Sequence, residues 1–409
     1  MTDPDLGARF EALFAELAAI GRDPASGAYR RLPWTDDDRA ARTWFARAAA
    51  DRGLRVEADR NGNLWAWWGA PGRGAIASGS HLDSVPDGGA WDGALGIVAA
   101  LLAIDVLREW GFEPARPIAI VAWVEEEGGR FGIPTLGSRL SIGLARPPDV
   151  LDRTDRDGVT MRDALTGAGI DVAGIGPDSR AIGFLAAFVE LHIEQGRGLA
   201  GLGVPLGVGT GIWPHGRWQI RLTGAADHAG TTALTDRHDA LFVLAHGIVA
   251  ARLGAQAAGG VATVGRVGIR PNVSNIVPGW TEASLDVRAP DERSVSAIVD
   301  GVHAALADAA AEEGVEVELE RVSWSAAVLF DPDLRGRVEQ AIDRAGVPWA
   351  REATAAGHDA GILAGAVPTA MLFVRNPTGT SHAPDERADR DDAVAGIRAL
   401  AAVLADLSA

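Results

Sequence analysis

The run "GAIASGSH", a helical pattern over about residues 91 to 110 and the run "RPIAIVAWVEEEGG" together restrict this chain to few folds. Both strand-like runs are apolar without alternation, which suits strands covered on both faces, and the helix between them is the crossover that parallel neighbours require. The pattern predicts α/β architecture around a mostly parallel sheet. Before it, "VEADRNGNLWAWWG" alternates around Asn61-Gly62, a hairpin signal. The opening "MTDPDLGARFEALFAELAAIG" carries acids within its apolar pattern and reads as an amphipathic helix rather than a leader.

From about Ile212 the order changes. Strand "RWQIRLTG", helix "DRHDALFVLAHGIVAARLG", strands "VATVGRVGI" and "WTEASLDVR", helix "DERSVSAIVDGVHAALADAAAEEG" and strand "VEVELERV" follow one another. This β-α-β-β-α-β order is the split, ferredoxin-like unit. The tail returns to α/β with a helix near 332 to 345, the strand "TAMLFVRN" and a closing helix. With 409 residues, 47% of them apolar, two domains are expected. Their bounds are 1–211 and 326–409 for a divided first domain and 212–325 for the inserted one.

Composition removes several chemistries. The formal charge of −17 opposes nucleic acid and anionic membranes. The chain has no lysine, which excludes Schiff-base and phosphate-loop lysines. It has no cysteine, so any metal must be held by His, Asp and Glu. The apolar stretch "ALGIVAALLAI" is shorter than the roughly 20 residues of a membrane span. A cytoplasmic enzyme acting on a small molecule is the expectation, with no nucleic-acid or membrane partner.

Four clusters carry ligand-type side chains. In "SGSHLDSVPDGGAWDG", His81 and Asp83 stand two apart at a strand end, where the carboxylate can orient the imidazole; Asp92 is either a ligand or a helix cap. "VEEEGG" puts Glu125, Glu126 and Glu127 at the end of a buried strand, where uncompensated carboxylates are costly. "VELHIEQG" places His192 in an apolar strand, and "GTSHAPDE" brings His382 shortly after another. Active sites of open α/β sheets lie beyond the carboxyl ends of the strands. His81, Asp92, Glu127, His192 and His382 form an all-nitrogen-and-oxygen set suited to two divalent ions.

In order, "GSHLDSVPDGGAWDG", "EEEGGRFG", "ELHIEQG", "ADHAGTT", "AGHDA" and "SHAPDE" resemble the metal-dependent amidohydrolases of the peptidase M20 family. The longer matches are similar to its allantoate amidohydrolase and N-carbamoyl-L-amino-acid hydrolase branch. The resemblance implies that Asp92 bridges two metals, with His81 and His192 completing one site and Glu127 and His382 the other. Zinc or manganese is expected, and cobalt or nickel also suit such ligands. Glu126 matches the general base, and Asp83 orients His81. The inserted domain matches the family's dimerisation or lid domain. Its His228 matches a histidine that reaches the partner subunit's site, implying a homodimer. Arg217, Asn275 and Arg288 match substrate-binding positions, and Gln195 is expected to bond the ureido group. His358 and Asp359 of "AGHDA" are open between a site role and a helix cap, and His246 and His303 read as structural.

The resemblance implies hydrolysis of a ureido C–N bond in a small carboxylate substrate. Allantoate is the first expectation, since Arg217 and Arg288 suit a compact carboxylate, and an N-carbamoyl-L-amino acid is the alternative. A family aminopeptidase or dipeptidase, or a silent small-molecule-binding protein, is more distant. Departures such as Gly129, Ala233-Leu234 and Thr380 touch no expected ligand or base.

Overall fold

Residues 4–409 are described in the computed structural model. They divide into two units, one of Gly211–Val328 and one of the chain before and after it.

In the larger unit, strands Ile118–Trp123, Ala75–His81, Leu185–Ile193 and Thr369–Val374 lie side by side in that order, all parallel. Every residue of Ala75–His81, Ile118–Trp123 and Thr369–Val374 is buried, which is why these segments lack polar alternation. The sheet turns antiparallel at its margins, through Leu64–Trp68 and Arg55–Ala58 on one side and the start of Leu206–Ile212 on the other. The first two form the expected hairpin. Asp59 closes its turn by accepting from the Asn61 and Asn63 amides through Oδ1, and Gly62 adopts φ +86°.

Helix Ala94–Glu109 is apolar nearly all round because it is covered nearly all round. It lies against the sheet on one side and against helices Pro4–Ala18 and Arg390–Ser408 on the other. A Cβ at its Gly96 would meet the Leu191 carbonyl at 2.2 Å, so glycine sets how closely this helix approaches the sheet. The helix starts at Ala94, three residues later than its sequence pattern suggests, and Gly93 is its N-cap. Asp92 is thereby released from capping.

The smaller unit is a four-stranded antiparallel sheet in the order Glu316–Ser325, His215–Thr223, Trp280–Arg288, Val261–Arg270. Helices Ala240–Ala257 and Glu292–Glu313 cover one face through Val243, Leu244, Ile298, Val302 and Leu306, which meet Ile220, Leu222, Leu285 and Val287. A two-residue ladder between Asp227–His228 and Ile276–Val277 adds a feature the sequence pattern does not announce. Helix Ala240–Ala257 has the length and hydropathy of a membrane span. Its inner face packs on the sheet, while Phe242, Val249 and Leu253 are exposed along the other.

Candidate metal centre

His81 ends its strand, His192 is the penultimate residue of the neighbouring parallel strand, and the glutamates follow Ile118–Trp123 after Val124 alone. The parallel register therefore brings all three to one edge of the sheet. Asp92 reaches the same edge from the loop before helix Ala94–Glu109. That approach needs Gly93, with φ +67°, because a Cβ there would lie 2.5 Å from the His81 ring.

Asp92 stands at the middle of the cluster. Its Oδ1 is 3.2 Å from His81 Nε2 and 3.1 Å from His192 Nε2, and its Oδ2 is 3.4 Å from His382 Nε2. His382 Nε2 is also 3.4 Å from Glu127 Oε2. Two triads result, His81–Asp92–His192 and Asp92–Glu127–His382, sharing one carboxylate. His382 adopts a left-handed backbone, φ +55°, which is uncommon outside glycine and recurs where a site demands it.

The hydrogen bonds around the imidazoles fix their tautomers. His81 Nδ1 lies 3.0 Å from the Asp83 main-chain carbonyl and His192 Nδ1 2.9 Å from that of Ile193. A carbonyl only accepts, so each Nδ1 carries a proton and each Nε2 is the nitrogen that faces Asp92. Burial opposes charge on both imidazoles, but the neighbouring carboxylates raise them, so Nε2 holds a proton there until a cation takes its place. Both Nε2 atoms and Glu127 Oε1 are buried without a hydrogen-bond partner. Imidazole nitrogens and a carboxylate oxygen that converge without hydrogen bonds form a donor set that fits divalent cations.

The charges agree with this. Burial pushes Glu127 up to about 8, with Asp92 adding to it, and burial pushes Glu126 well above the usual carboxylate range. Burial opposes ionisation of Asp92 too, but three imidazoles hold its carboxyl well below the usual range. His382 is raised to about 9, chiefly by Asp92. The cluster draws positive charge to itself, which a bound cation supplies more completely than a proton.

The three consecutive glutamates point apart. Glu125, at φ +53°, turns back to accept from the Arg130 and Phe131 amides; Glu126 Oε2 stands 3.8 Å from His81 Nε2; Glu127 faces His382. Asp83 enforces that divergence, since its Oδ1 and Oδ2 accept from the Glu126 and Glu127 amides at 3.2 and 3.1 Å. Its contact with His81 differs from the one the sequence suggests. The ring bonds the Asp83 main chain, and the carboxylate, 3.6 Å from Nδ1, is committed to the glutamate turn. Gln195 also points inward. Its Nε2 is 2.8 Å from Asp92 Oδ2, 3.1 Å from Ser381 Oγ and 3.3 Å from His382 Nε2.

The structure gives partners to further residues of the same motifs that spacing alone does not reveal. Glu386 Oε2 accepts the Asp92 amide at 2.9 Å and fixes the central carboxylate's backbone. His358 is buried with its ring 4.5 Å from that of His192, and burial keeps it neutral. It occupies the N-cap position of helix Asp359–Leu363 but makes no capping bond. Asp359 bonds Ser138, and Glu190 accepts from Ser80 Oγ and the Ala360 amide. Asp87, by contrast, lies outside the cluster, exposed and paired with Arg30.

The remaining expected residues belong to the smaller unit. His228 and Asn275 are neighbours there, with the Ala229 amide bonded to the Asn275 carbonyl and His228 paired with Ile276. His228 is exposed, and its Nδ1 accepts from the Gly230 amide at 3.0 Å, which leaves the proton on Nε2. Arg217 and Arg288 lie on adjacent strands, and both bond Asp286.

Residues 77–406 match the model of peptidase family M20/M25/M40. The N-carbamoyl-L-amino acid amidohydrolase of Geobacillus stearothermophilus is 33% identical over 96% of this chain and 97% of its own length. The allantoate amidohydrolase of Escherichia coli (strain K12) is 33% identical over 96% of each. Among solved structures, an amidase of the hydantoinase/carbamoylase family from Burkholderia multivorans superposes with a TM-score of 0.90, at 33% identity and 98% coverage of both chains. With the family model and near full-length relatives in agreement, the chain belongs to the peptidase family M20/M25/M40, as an amidohydrolase of non-peptide carbon–nitrogen bonds.

Proposed function

We propose that the protein is a binuclear metal amidohydrolase that cleaves the ureido C–N bond of a small carboxylate substrate, releasing ammonia and carbon dioxide. The observation that carries this reading is the pair of triads sharing Asp92, with the unpartnered Nε2 atoms of His81 and His192 directed at its carboxylate. His81 and His192 would hold one divalent ion, Glu127 and His382 the other, and Asp92 both. Zinc and manganese are the first choices, cobalt and nickel the next. Such ions supply Lewis acidity and lower the pKa of water.

The chain's own residues do the rest. Glu126, buried beside the cluster and held by Asp83, accepts the proton of the attacking water and delivers it to the departing nitrogen. His228 donates from Nε2 to the carbonyl oxygen as negative charge develops. Arg217, Arg288 and Asn275 receive the substrate, Arg217 and Arg288 its carboxylate. Gln195 serves the ureido end only by releasing its present contact with Asp92. We place His228 in the site of a partner subunit, so the enzyme is a homodimer. The exposed row Phe242, Val249 and Leu253 on helix Ala240–Ala257 supports this, because it leaves an apolar face for a second copy. A cytoplasmic location belongs to the same reading.

Allantoate is the preferred substrate and an N-carbamoyl-L-amino acid the second, each acted on by a relative of equal identity. Elemental analysis of purified enzyme combined with ammonia release from both compounds tests the proposal. Two equivalents of metal per chain and turnover of one compound, abolished by chelation and restored by zinc or manganese, are expected. A metal-free protein that no divalent ion activates contradicts the metal reading; a metal-loaded protein inert on both contradicts the substrate reading.

A further inference from the structure

Two arginines side by side make a strong anion receptor, and that receptor would favour a dianion unless something tempers it. In the smaller unit the tempering group is present. Asp286 Oδ1 accepts from Arg288 Nε at 2.9 Å, and Oδ2 accepts from Arg217 Nε at 3.1 Å and from Arg288 Nη2 at 3.5 Å. One carboxylate thus grips both guanidinium groups. The register explains how: Asp286 stands directly opposite Arg217 on the neighbouring strand, and Arg288, two residues on, lies on the same face opposite His215.

The flanking strands add no charge to these two rows. Ser323 and Ser325 stand beside Arg217 and His215 on one side, and Thr263 and Val261 beside Asp286 and Arg288 on the other. The next charged groups along the face are engaged with one another, Arg221 with Glu282, Glu318 and Glu320, and Arg266 with Glu282. His215 is held below its ordinary value by burial and then by Arg288, so it is neutral at pH 7. Asp286 stays ionised, because the two arginines overcome the effect of its burial. Two positive charges and one negative charge leave a single net positive charge.

We infer that Asp286 is a specificity-determining residue, which aims Arg217 and Arg288 and cancels one of their charges so that the receptor takes a substrate with one carboxylate rather than two. This rests on the reading of Arg217 and Arg288 as the carboxylate receptor. Asp286 acts through the arginines and is a positioning residue. Asp286 takes Nε of Arg217, so the Nη groups, on a side chain 65% exposed, are the ones a carboxylate can fork. Removing the negative charge leaves that edge less constrained and raises the local potential, which benefits a second substrate charge more than the first.

The test uses metal-loaded full-length enzyme and two probe anions, propionate and succinate, with binding measured by titration calorimetry and Arg217→Gln as the control that assigns the heat to this receptor. In Asp286→Asn the succinate-to-propionate affinity ratio is expected to rise about tenfold over the parent, and Asp286→Glu, which keeps the charge, to restore the parent ratio. An unchanged ratio in Asp286→Asn, or equal weakening of both anions, overturns the inference and leaves Asp286 a scaffold. Failure of both anions to bind the parent, or heat unaffected by Arg217→Gln, overturns instead the assignment of the arginines as carboxylate receptor. Circular dichroism of each variant separates these outcomes from misfolding, and Asp286→Ser, which also removes the charge, supplies the answer should Asp286→Asn not fold.

Discussion

The two units treat charge in opposite ways. At the strand ends of the larger one, His81, Asp92 and His192 are buried and Glu127 half-buried, and His81 Nε2, His192 Nε2 and Glu127 Oε1 bond to nothing in the protein. On the open face of the smaller one, Arg217, Arg221, Arg266 and Arg288 are each paired with Asp286 or Glu282. Unsatisfied buried charge is expensive and persists where a ligand completes it, whereas exposed pairs cost and contribute little. The larger unit is therefore built around something it must bind tightly. The smaller unit is stable without a ligand, held by the packing of its helices on the sheet, and offers donors for recognition.

The sharpest way to break this contrast is to remove the buried acid that is not expected to hold a metal. Glu126→Gln keeps the volume and removes the base, and kcat is expected to fall by about 10²- to 10⁴-fold while two metals per chain remain bound. Steady-state kinetics with elemental analysis reads both quantities. Loss of metal together with activity would assign Glu126 to the ligand set and dissolve the distinction between it and Glu127.

The corresponding change in the smaller unit should affect turnover alone. His228→Asn is expected to lower kcat about 10²- to 10³-fold, with the melting temperature unaltered because the side chain is exposed. Mixing this variant with Glu126→Gln tests the assignment across subunits. If each site takes its His228 from the partner, mixed dimers recover one intact site and activity returns. Mixtures as inactive as either parent would place His228 and Glu126 of one chain in the same site.

The contrast also explains what the sequence makes legible. His81, Glu127 and His192 are visible because they end or closely follow apolar strand runs, and a parallel sheet brings such ends together. The alternation in "WTEASLDVR" reads directly as its burial, every second residue being covered. Partners from distant parts of the chain are invisible by the same logic. Glu386 bonds the Asp92 amide across 294 residues, and Ser138 meets Asp359 across 221, so no periodicity marks either. Asp83 shows a subtler limit: its spacing from His81 is legible, but only the folded turn shows its carboxylate serving Glu126 and Glu127. The segment 134–182, with helices of four to seven residues around its own small core, gives too few turns for a pattern to emerge.

The smallest expected effect separates the cost of burying a carboxyl from the presence of metal. Glu352, in strand Trp349–Thr354 of the larger unit, is pushed up to about 8 by burial and then by Glu194, which itself accepts from the Gly198 and Leu199 amides. The folded state therefore holds a proton that the unfolded chain releases near 4.5. Stability from this group is complete below that value and declines as pH rises toward about 8, since the folded protein binds more protons throughout the window. Glu352→Gln mimics the protonated form at every pH. The variant is expected to match the parent in melting temperature at pH 4.5 and to exceed it by a few degrees at pH 8.5, with metal content unchanged at both. Melting curves that run parallel across the window would mean that Glu352 ionises as readily in the folded protein as in the unfolded chain. A shift in metal content instead would show that buried charge in this unit is coupled to the ligand cluster beyond the residues that touch it.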